Sequence, residues 1–142
     1  MKYLLDTNIL VSAALFPVGT AGRAYDLALS TSEPVVICDY TITELRRVFH
    51  TKFPQRESSL AAFITGISPG IMIVPTPEVV KDDIDLTVVR DPKDWPIVRA
   101  AIAEDIDVIV TGDKDLLEAD LPYPLMLTPS GFLNQVQAKL EP

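Results

Sequence analysis

The sequence predicts an α/β domain, with helices on both faces of a central, mostly parallel five-stranded sheet. Three observations carry that expectation. Short apolar, β-branched runs alternate with stretches of helical periodicity. The runs are nearly continuous in apolar residues, as parallel strands buried on both faces must be. Two of them end in aspartate, at Asp6 and at Asp113 with Asp115, where an α/β sheet gathers its ligands.

The elements follow in order. Lys2–Leu5 reads as the first strand, and Asp6-Thr7 can cap a helix over Asn8–Leu15. Ala21–Leu29 places Ala21, Ala24, Tyr25 and Ala28 on one helical face. Val35–Ile37 is the second strand. A helix over Thr41–Phe49 opens with Thr41-x-x-Glu44, the spacing of a capping box. Glu57–Ile67 carries Leu60, Phe63, Ile64 and Ile67 at helical spacing. After the strand Ile71–Val74 comes Thr76–Val89, a charged segment with Asp82, Asp83 and Asp85 that reads as a loop with one helical turn. Pro96 belongs in a first turn, so the next helix starts at about Asp94 and runs to Glu104, with Ile97, Val98, Ala101 and Ile102 inward. Strands Asp107–Thr111 and Leu125–Leu127 follow. Thr128-Pro129 opens a last helix with Phe132, Leu133, Val136 and Leu140 inward.

The 142 residues suit one domain, 1–142. An apolar share of 48% with 23% charged residues excludes a disordered chain. No apolar run approaches the ~18 residues of a membrane span, and the basic and apolar regions of a secretory signal are not evident. The single cysteine, Cys38, has no internal disulfide partner and is expected as a small buried hydrophobe. A cytoplasmic location is expected. The net charge of −8 is uneven: residues 1–71 hold six basic and six acidic side chains, residues 72–142 six basic and fourteen acidic. That sign argues against a broad nucleic-acid binder. A nucleic-acid enzyme would need a local basic strip, and Arg46, Arg47, His50, Lys52 and Arg56 are the candidates. No GxxxxGK[ST] or GxGxxG loop is present, which lowers NTPase and dinucleotide readings.

The acids carry the functional argument. Two strands of one parallel sheet, each ending in aspartate, would aim their carboxylates into the same crevice. Such carboxylates raise each other's pKa unless a cation joins them. Hard oxygen ligands suit Mg²⁺ or Mn²⁺. Each acid also has a plainer role: Asp6 as a cap, Glu44 as the third residue of the capping box, Asp91 or Asp94 as a cap before Trp95, and one of Asp113 and Asp115 as structural. Asp113, nearer the strand end, is favoured as the ligand. Arg46 and Arg47 are expected on a different helix face from Glu44. His50 reads as a helix C-terminal charge, and Trp95 as a core or lip residue.

At these residues the chain resembles a PIN domain, a family of metal-dependent nucleases. Lys2-Tyr3-Leu4-Leu5-Asp6-Thr7-Asn8 resembles the family's opening strand and Asp-Thr-Asn. Thr43-Glu44-Leu45 fits its helix-borne glutamate. Arg90-Asp91-Pro92-Lys93-Asp94-Trp95-Pro96 and Val110-Thr111-Gly112-Asp113-Lys114-Asp115 fit its third and fourth acids. The resemblance implies Asp6, Glu44, Asp94 and Asp113 as the acidic, metal-binding site, with Asp115 beside them and Asn8, Thr111 and Asp91 in support. One departure matters: many relatives carry the third acid eighteen residues before the fourth, where this chain has Trp95. Asp94 must serve instead, and Asp91 stays a rival.

More narrowly, the chain is similar to toxin components of bacterial and archaeal toxin–antitoxin pairs. The implied reaction is Mg²⁺- or Mn²⁺-dependent hydrolysis of RNA phosphodiesters, leaving 5′-phosphate and 3′-hydroxyl ends, with Arg46, Arg47, Lys52 and Arg56 along the RNA. The implied partners are a cognate antitoxin, placing an Arg or Lys among the acids, and a second copy of the chain, packed through the apolar faces of Asn8–Leu15 and Glu57–Ile67. Two alternatives stand beside this reading. One is a non-catalytic or degenerate PIN-fold binding module. The other is a different Mg²⁺-dependent phosphatase or phosphoacceptor domain with Asp6 as nucleophile. A haloacid-dehalogenase-like enzyme would need an aspartate where Asn8 stands, and a receiver domain would need its acceptor on a later strand.

Overall fold

The structure, a computed structural model, describes residues 1–67 and 69–140. Five strands form one sheet: β1 (Tyr3–Leu5), β2 (Val35–Cys38), β3 (Met72–Val74), β4 (Val108–Val110) and β5 (Leu125–Leu127). Their order is β3-β2-β1-β4-β5, and all four pairings are parallel. The helices are α1 (Thr7–Leu15), α2 (Thr20–Ser30), α3 (Asp39–Lys52), α4 (Glu57–Ile67), α5 (Trp95–Ala103), α6 (Lys114–Leu117) and α7 (Pro129–Leu140).

The apolar runs are continuous because alternate residues serve opposite faces. Tyr3, Leu5, Val35, Ile37, Val108 and Val110 pack under α1, α2, α3, α4 and α7. Leu4, Val36, Cys38 and Ile109 pack on the other side against Ile97, Ala100 and Ala101 of α5. Phe132 of α7 sets its ring edge-on to Tyr3, centroids 5.0 Å apart. Phe132, Leu133 and Val136 are buried as their spacing predicts, while the side chain of Leu140 lies outside the described residues. Cys38 is buried in β2. The segment 76–89 is a loop with one 3-10 turn, Leu86–Val88, capped by Asp85. With Trp95, whose indole donates to the Val89 carbonyl at 2.9 Å, it closes a third cluster over Val98, Ile102 and Leu116.

Three local expectations are corrected. Helix α3 starts at Asp39, so Thr41 is no cap. It is wholly buried in the first turn, its hydroxyl 3.5 Å from the Cys38 sulfur, and the capping box with Glu44 does not form. The carboxylate of Asp39 instead accepts a hydrogen bond from Thr76 N, tying α3 to the loop after β3. The four-residue α6, absent from the expected elements, is capped by Asp113. Finally, most of each face of α1 and α4 expected to meet a second copy packs into the core, with Ile9, Leu10, Ala13, Leu60 and Ile67 buried, while Phe63 and Ile64 of α4 stay half-buried. The exposed apolar side chains here are Phe16 and Val18, on the connection to α2.

That connection is tight. A Cβ on Gly22 would lie 2.3 Å from the Pro17 carbonyl oxygen, a backbone atom that cannot swing away. Gly22→Ala is expected to destabilise the chain by about 1–3 kcal/mol through overpacking, read as a lower midpoint of urea unfolding.

Candidate active site

The sheet order reverses between β1 and β4: β2 and β3 continue on one side, β5 on the other. At such a switch point the loops after the two strands separate and leave a crevice. Asp6 follows β1 directly and Thr111 follows β4. The Asp6 amide donates to the Val110 carbonyl at 3.0 Å. The Thr111 hydroxyl then donates to Asp6 Oδ2 at 2.7 Å and accepts from the Asp113 amide at 3.0 Å. One buried hydroxyl therefore ties the two strand ends together. Asp6 Oδ1 accepts from Thr7 N at 2.8 Å, so the residue also caps α1.

Four elements bring side chains around this point. Asp6, Glu44, Asp94 and Asp113 all line one pocket of about 180 Å³, with Asp91 and Asn8 at its edge. Helix α3 contributes Tyr40, Glu44, Arg47 and Lys52, spaced along one side. A 3-10 turn, Pro92–Asp94, contributes Lys93 and Asp94. The two rival acids sit differently on that turn. Asp91 spends a carboxylate oxygen on the Lys93 amide at 3.0 Å, capping the turn. Asp94 occupies the cap position of α5 but makes no capping bond. It is 9% exposed, and its Oδ2 is buried with no hydrogen-bond partner. Among the described residues the only other buried side-chain atom so orphaned is Thr7 Oγ1, in the same pocket. Unsatisfied buried polar atoms are rare enough to require an explanation, and here both face one place.

Asp115 lies to one side. Its amide donates to Asp113 Oδ1 at 2.9 Å, and its own carboxylate takes Arg90 Nε at 2.7 Å. Carboxylate oxygens of Asp91, Asp94 and Asp115 still lie within 4.8 Å of one another, so Asp94 stands between the two groups of acids.

The basic strip does not stay together. Arg47 and Lys52 line the acidic pocket, whereas Arg46 faces a larger groove between α3 and α4, beside Leu60, Ala61 and Ile64. Arg56 is exposed on the 3-10 turn Pro54–Arg56, and His50, in the last turn of α3, pairs with Glu57 at 3.0 Å. Nor does Arg47 sit on a different face from Glu44. Three residues apart on a helix is one face, and Arg47 forks onto Glu44 through Nε at 3.2 Å and Nη2 at 2.9 Å. Lys93 and Tyr40 escaped the sequence reading. The position of Lys93 between Asp91 and Asp94 was a usable signal. Tyr40, whose hydroxyl donates to the Lys93 carbonyl at 3.1 Å, had none.

Convergence has an electrostatic cost. Burial pushes the Asp6 carboxyl up to about 6, against the hydrogen bonds from Thr111 and Thr7, with the charges of Asp113 and Glu44 adding to the rise. Burial is also the first cause at Asp94, pushed up to about 8. The neighbouring acids Asp113, Asp6 and Asp91 add to the rise. Burial and like charge both favour the neutral carboxyl over the carboxylate at Asp94 while no cation is near. A divalent cation would do the proton's work without the proton. The donor set is all oxygen and anionic, and Asp94 Oδ2 is free to ligate: these residues fit Mg²⁺ or Mn²⁺.

A family model described as PIN domain matches residues 2–115, and the chain belongs to that family. It is 26% identical over 125 residues to an uncharacterized protein of Methanocaldococcus jannaschii, covering 82% of this chain and 74% of that protein. Among solved structures it is similar to VapBC2 from Rickettsia felis, bound to a DNA fragment from its promoter: TM-score 0.64, 20% identity, 90% of this chain and 98% of that one. It is also similar to VapC20 of Mycobacterium tuberculosis, a toxin that cleaves the sarcin–ricin loop: TM-score 0.60, 16% identity, 84% and 95% covered. A third is PAE2754 from Pyrobaculum aerophilum: TM-score 0.61, 19% identity, 97% and 96% covered. At these identities the structural likeness speaks for the fold.

The raised acids make stability pH-dependent without metal. Both folded pKa values lie above the unfolded value near 3.8, so the native state holds more protons than the unfolded chain between about pH 4 and 8. Their contribution is fully present below pH 4 and is lost as pH rises through about 6 and then about 8. Asp94→Asn cannot ionise. In EDTA it is expected to melt above the wild type at pH 8.5, with the gap closing as pH falls to 4.5. A gap independent of pH would show that Asp94 is not strained.

Proposed function

We propose that the chain is a divalent-metal-dependent endoribonuclease, the toxin of a toxin–antitoxin pair. The observation that carries the chemistry is the convergence of Asp6, Glu44, Asp94 and Asp113 on one pocket, with a buried, unpartnered Asp94 oxygen. Family membership supports hydrolysis of a nucleic acid, and the toxin activity of VapC20 supports RNA as its class.

In this reading Asp6, Glu44, Asp94 and Asp113 hold Mg²⁺ or Mn²⁺, with Asp115 as a flanking acid. The cation, when bound, supplies Lewis acidity toward a phosphodiester and a water acidic enough to attack it. The chain's own residues do the rest. Thr111 fixes the rotamer of Asp6 and the position of the Asp113 backbone. Asp91 holds the turn that presents Lys93 and Asp94. Asn8, exposed at the rim, is placed to orient a water or the leaving group. Arg47, Lys52 and Lys93, which line the pocket, hold backbone phosphates, and Arg46 and Arg56, which do not line it, take no part in that contact. The overall negative charge keeps non-specific binding low.

Asp6→Asn is expected to lower cleavage of single-stranded RNA at least ~100-fold, the scale of losing one positioned electrostatic group. Mn²⁺ at ~100 times its dissociation constant is expected to stabilise the wild type by ~2.7 kcal/mol over EDTA. Retained metal-dependent cleavage in the variant, or coincident melting curves, would remove the reading.

The partners belong to the same proposal. The Rickettsia felis structure and one from Salmonella typhimurium are VapBC assemblies on DNA. An antitoxin segment carrying Arg or Lys would find the carboxylates of Asp6, Glu44, Asp94 and Asp113 in one pocket, and a bidentate fork would take the place of the metal's charge. No helix among the described residues is long and apolar enough to cross a membrane, and we place the pair in the cytoplasm, with the toxin as a homodimer. Saturating Mn²⁺ is expected to weaken the antitoxin's apparent affinity, and light scattering at tens of micromolar to give twice the chain mass. An affinity indifferent to Mn²⁺ would put the partner elsewhere.

A further inference from the structure

Glu44 is held differently from the other three acids. Asp6 and Asp113 accept hydrogen bonds from neutral donors, the Thr111 hydroxyl and the amides of Thr7 and Asp115. Such donors leave a carboxylate its charge and at least one lone pair. Asp94 keeps an oxygen with no partner. Glu44 alone of the four is held by a cation, and both of its oxygens are engaged by the fork of Arg47. A metal that uses Glu44 must approach past a like charge and take at least one of those oxygens from it.

We propose that Arg47 guards Glu44: it occupies the carboxylate while no cation is bound, competes with a divalent cation for it, and on displacement takes a backbone phosphate of the nucleic acid. This rests on the metal-dependent nuclease reading above. Three observations support it. The pair is replaceable, because Arg47 is more than half exposed and an i, i+3 surface pair is weak. The guanidinium is free to move, because only its side-chain torsions, and not helix α3, need change. It has a destination, because Arg47 lines the same pocket as Lys52 and Lys93. A dication at Glu44 would repel it toward the mouth, where the next anion to arrive is the substrate. A guanidinium forks onto phosphate as it does onto carboxylate, so one geometry serves both states. The exchange also conserves charge: the pocket is not left with an uncompensated glutamate before loading, nor with an uncompensated phosphate after it.

The test reads metal and nucleic acid separately. Calorimetric titration with Mn²⁺ is run on the wild type, Arg47→Ala, Arg47→Lys, Glu44→Gln and the Glu44→Gln/Arg47→Ala pair. Binding of a labelled single-stranded RNA is measured in the Asp6→Asn background, which leaves it uncut. Arg47→Ala is expected to tighten Mn²⁺ roughly two- to fivefold, the scale of a surface ion pair, and to do nothing once Glu44 is Gln. It is expected to weaken RNA and to flatten the slope of log affinity against log salt by ~0.7, one phosphate contact on a single strand. Arg47→Lys keeps a charge without the fork, so it should tighten Mn²⁺ and retain part of the RNA affinity. A merely structural arginine would not move the two affinities in opposite directions. Tightening that survives in Glu44→Gln would be a long-range field effect and would overturn the proposal. So would Mn²⁺ binding that Glu44→Gln weakens and Arg47→Ala leaves unchanged, with the metal reading intact. Unchanged RNA binding would overturn the phosphate step. No Mn²⁺ binding by the wild type would overturn the proposal and the nuclease reading together.

Discussion

The register of β1 against β4 is the constraint on which the acidic end of the molecule depends. Leu5 lies beside Val110, so the next residue of each strand, Asp6 and Thr111, emerges at the same level. That adjacency makes the 2.7 Å hydrogen bond between them possible, and the bond in turn seats the Asp113 amide. In a parallel pair a slip of β1 by one residue would also turn Leu5 from one core to the other while Val110 stayed in place. The packing of α1, α2 and α7 on one face and α5 on the other therefore enforces the register that the acids need. Hydrophobic burial holds the carboxylates together although they repel.

The molecule meets that repulsion locally. Five acids line the pocket, Asp6, Glu44, Asp91, Asp94 and Asp113, against three cations, Arg47, Lys52 and Lys93. Asp91 is relieved by an amide, Asp6 by an amide and a hydroxyl, and Glu44 by a guanidinium. Asp94, buried first of all and then surrounded by Asp113, Asp6 and Asp91, is left with the residual strain, and its carboxyl is pushed up to about 8. Strain left at one place that a ligand could relieve is the physical signature of a site, in contrast to a solvated acidic surface.

How much of this was legible depended on range. The strands were plain because both faces of the sheet are covered, which forces continuous apolar runs at Val35–Ile37 and Val108–Val110. Asp6, Asp94 and Asp113 stand at element ends, where sequence punctuation points, whereas Glu44 lies inside α3, whose start is displaced to Asp39. What failed turned on contacts distant in sequence or on helical geometry. Thr41-x-x-Glu44 is a sound local cap signal, but Thr76, reached through the loop after β3, binds Asp39 and lets α3 begin two residues earlier. Consecutive basic residues read as a strip in sequence, yet neighbours on a helix differ by about 100°. Arg46 and Arg47 accordingly face different grooves, and the fork onto Glu44 was hidden by treating them as one patch. Helix α6 is a single turn, too short to show a period.

The same kind of local geometry decides which side chain of the segment 91–96 reaches the pocket. Pro92 and Pro96 flank it, the first opening the 3-10 turn and the second seated in the first turn of α5. Between them the chain changes from a three-residue to a 3.6-residue turn, which alters the angular position of each side chain relative to a continuous helix. Asp94 can thereby reach the pocket, while Trp95 turns to the third core cluster and donates to the Val89 carbonyl. Asp91, at the start of the turn, gives one carboxylate oxygen to the Lys93 amide. The change of helix type between Pro92 and Pro96 thus sets the direction of each side chain: Asp94 lines the pocket with Asp6 and Asp113, and Trp95 packs in the third cluster.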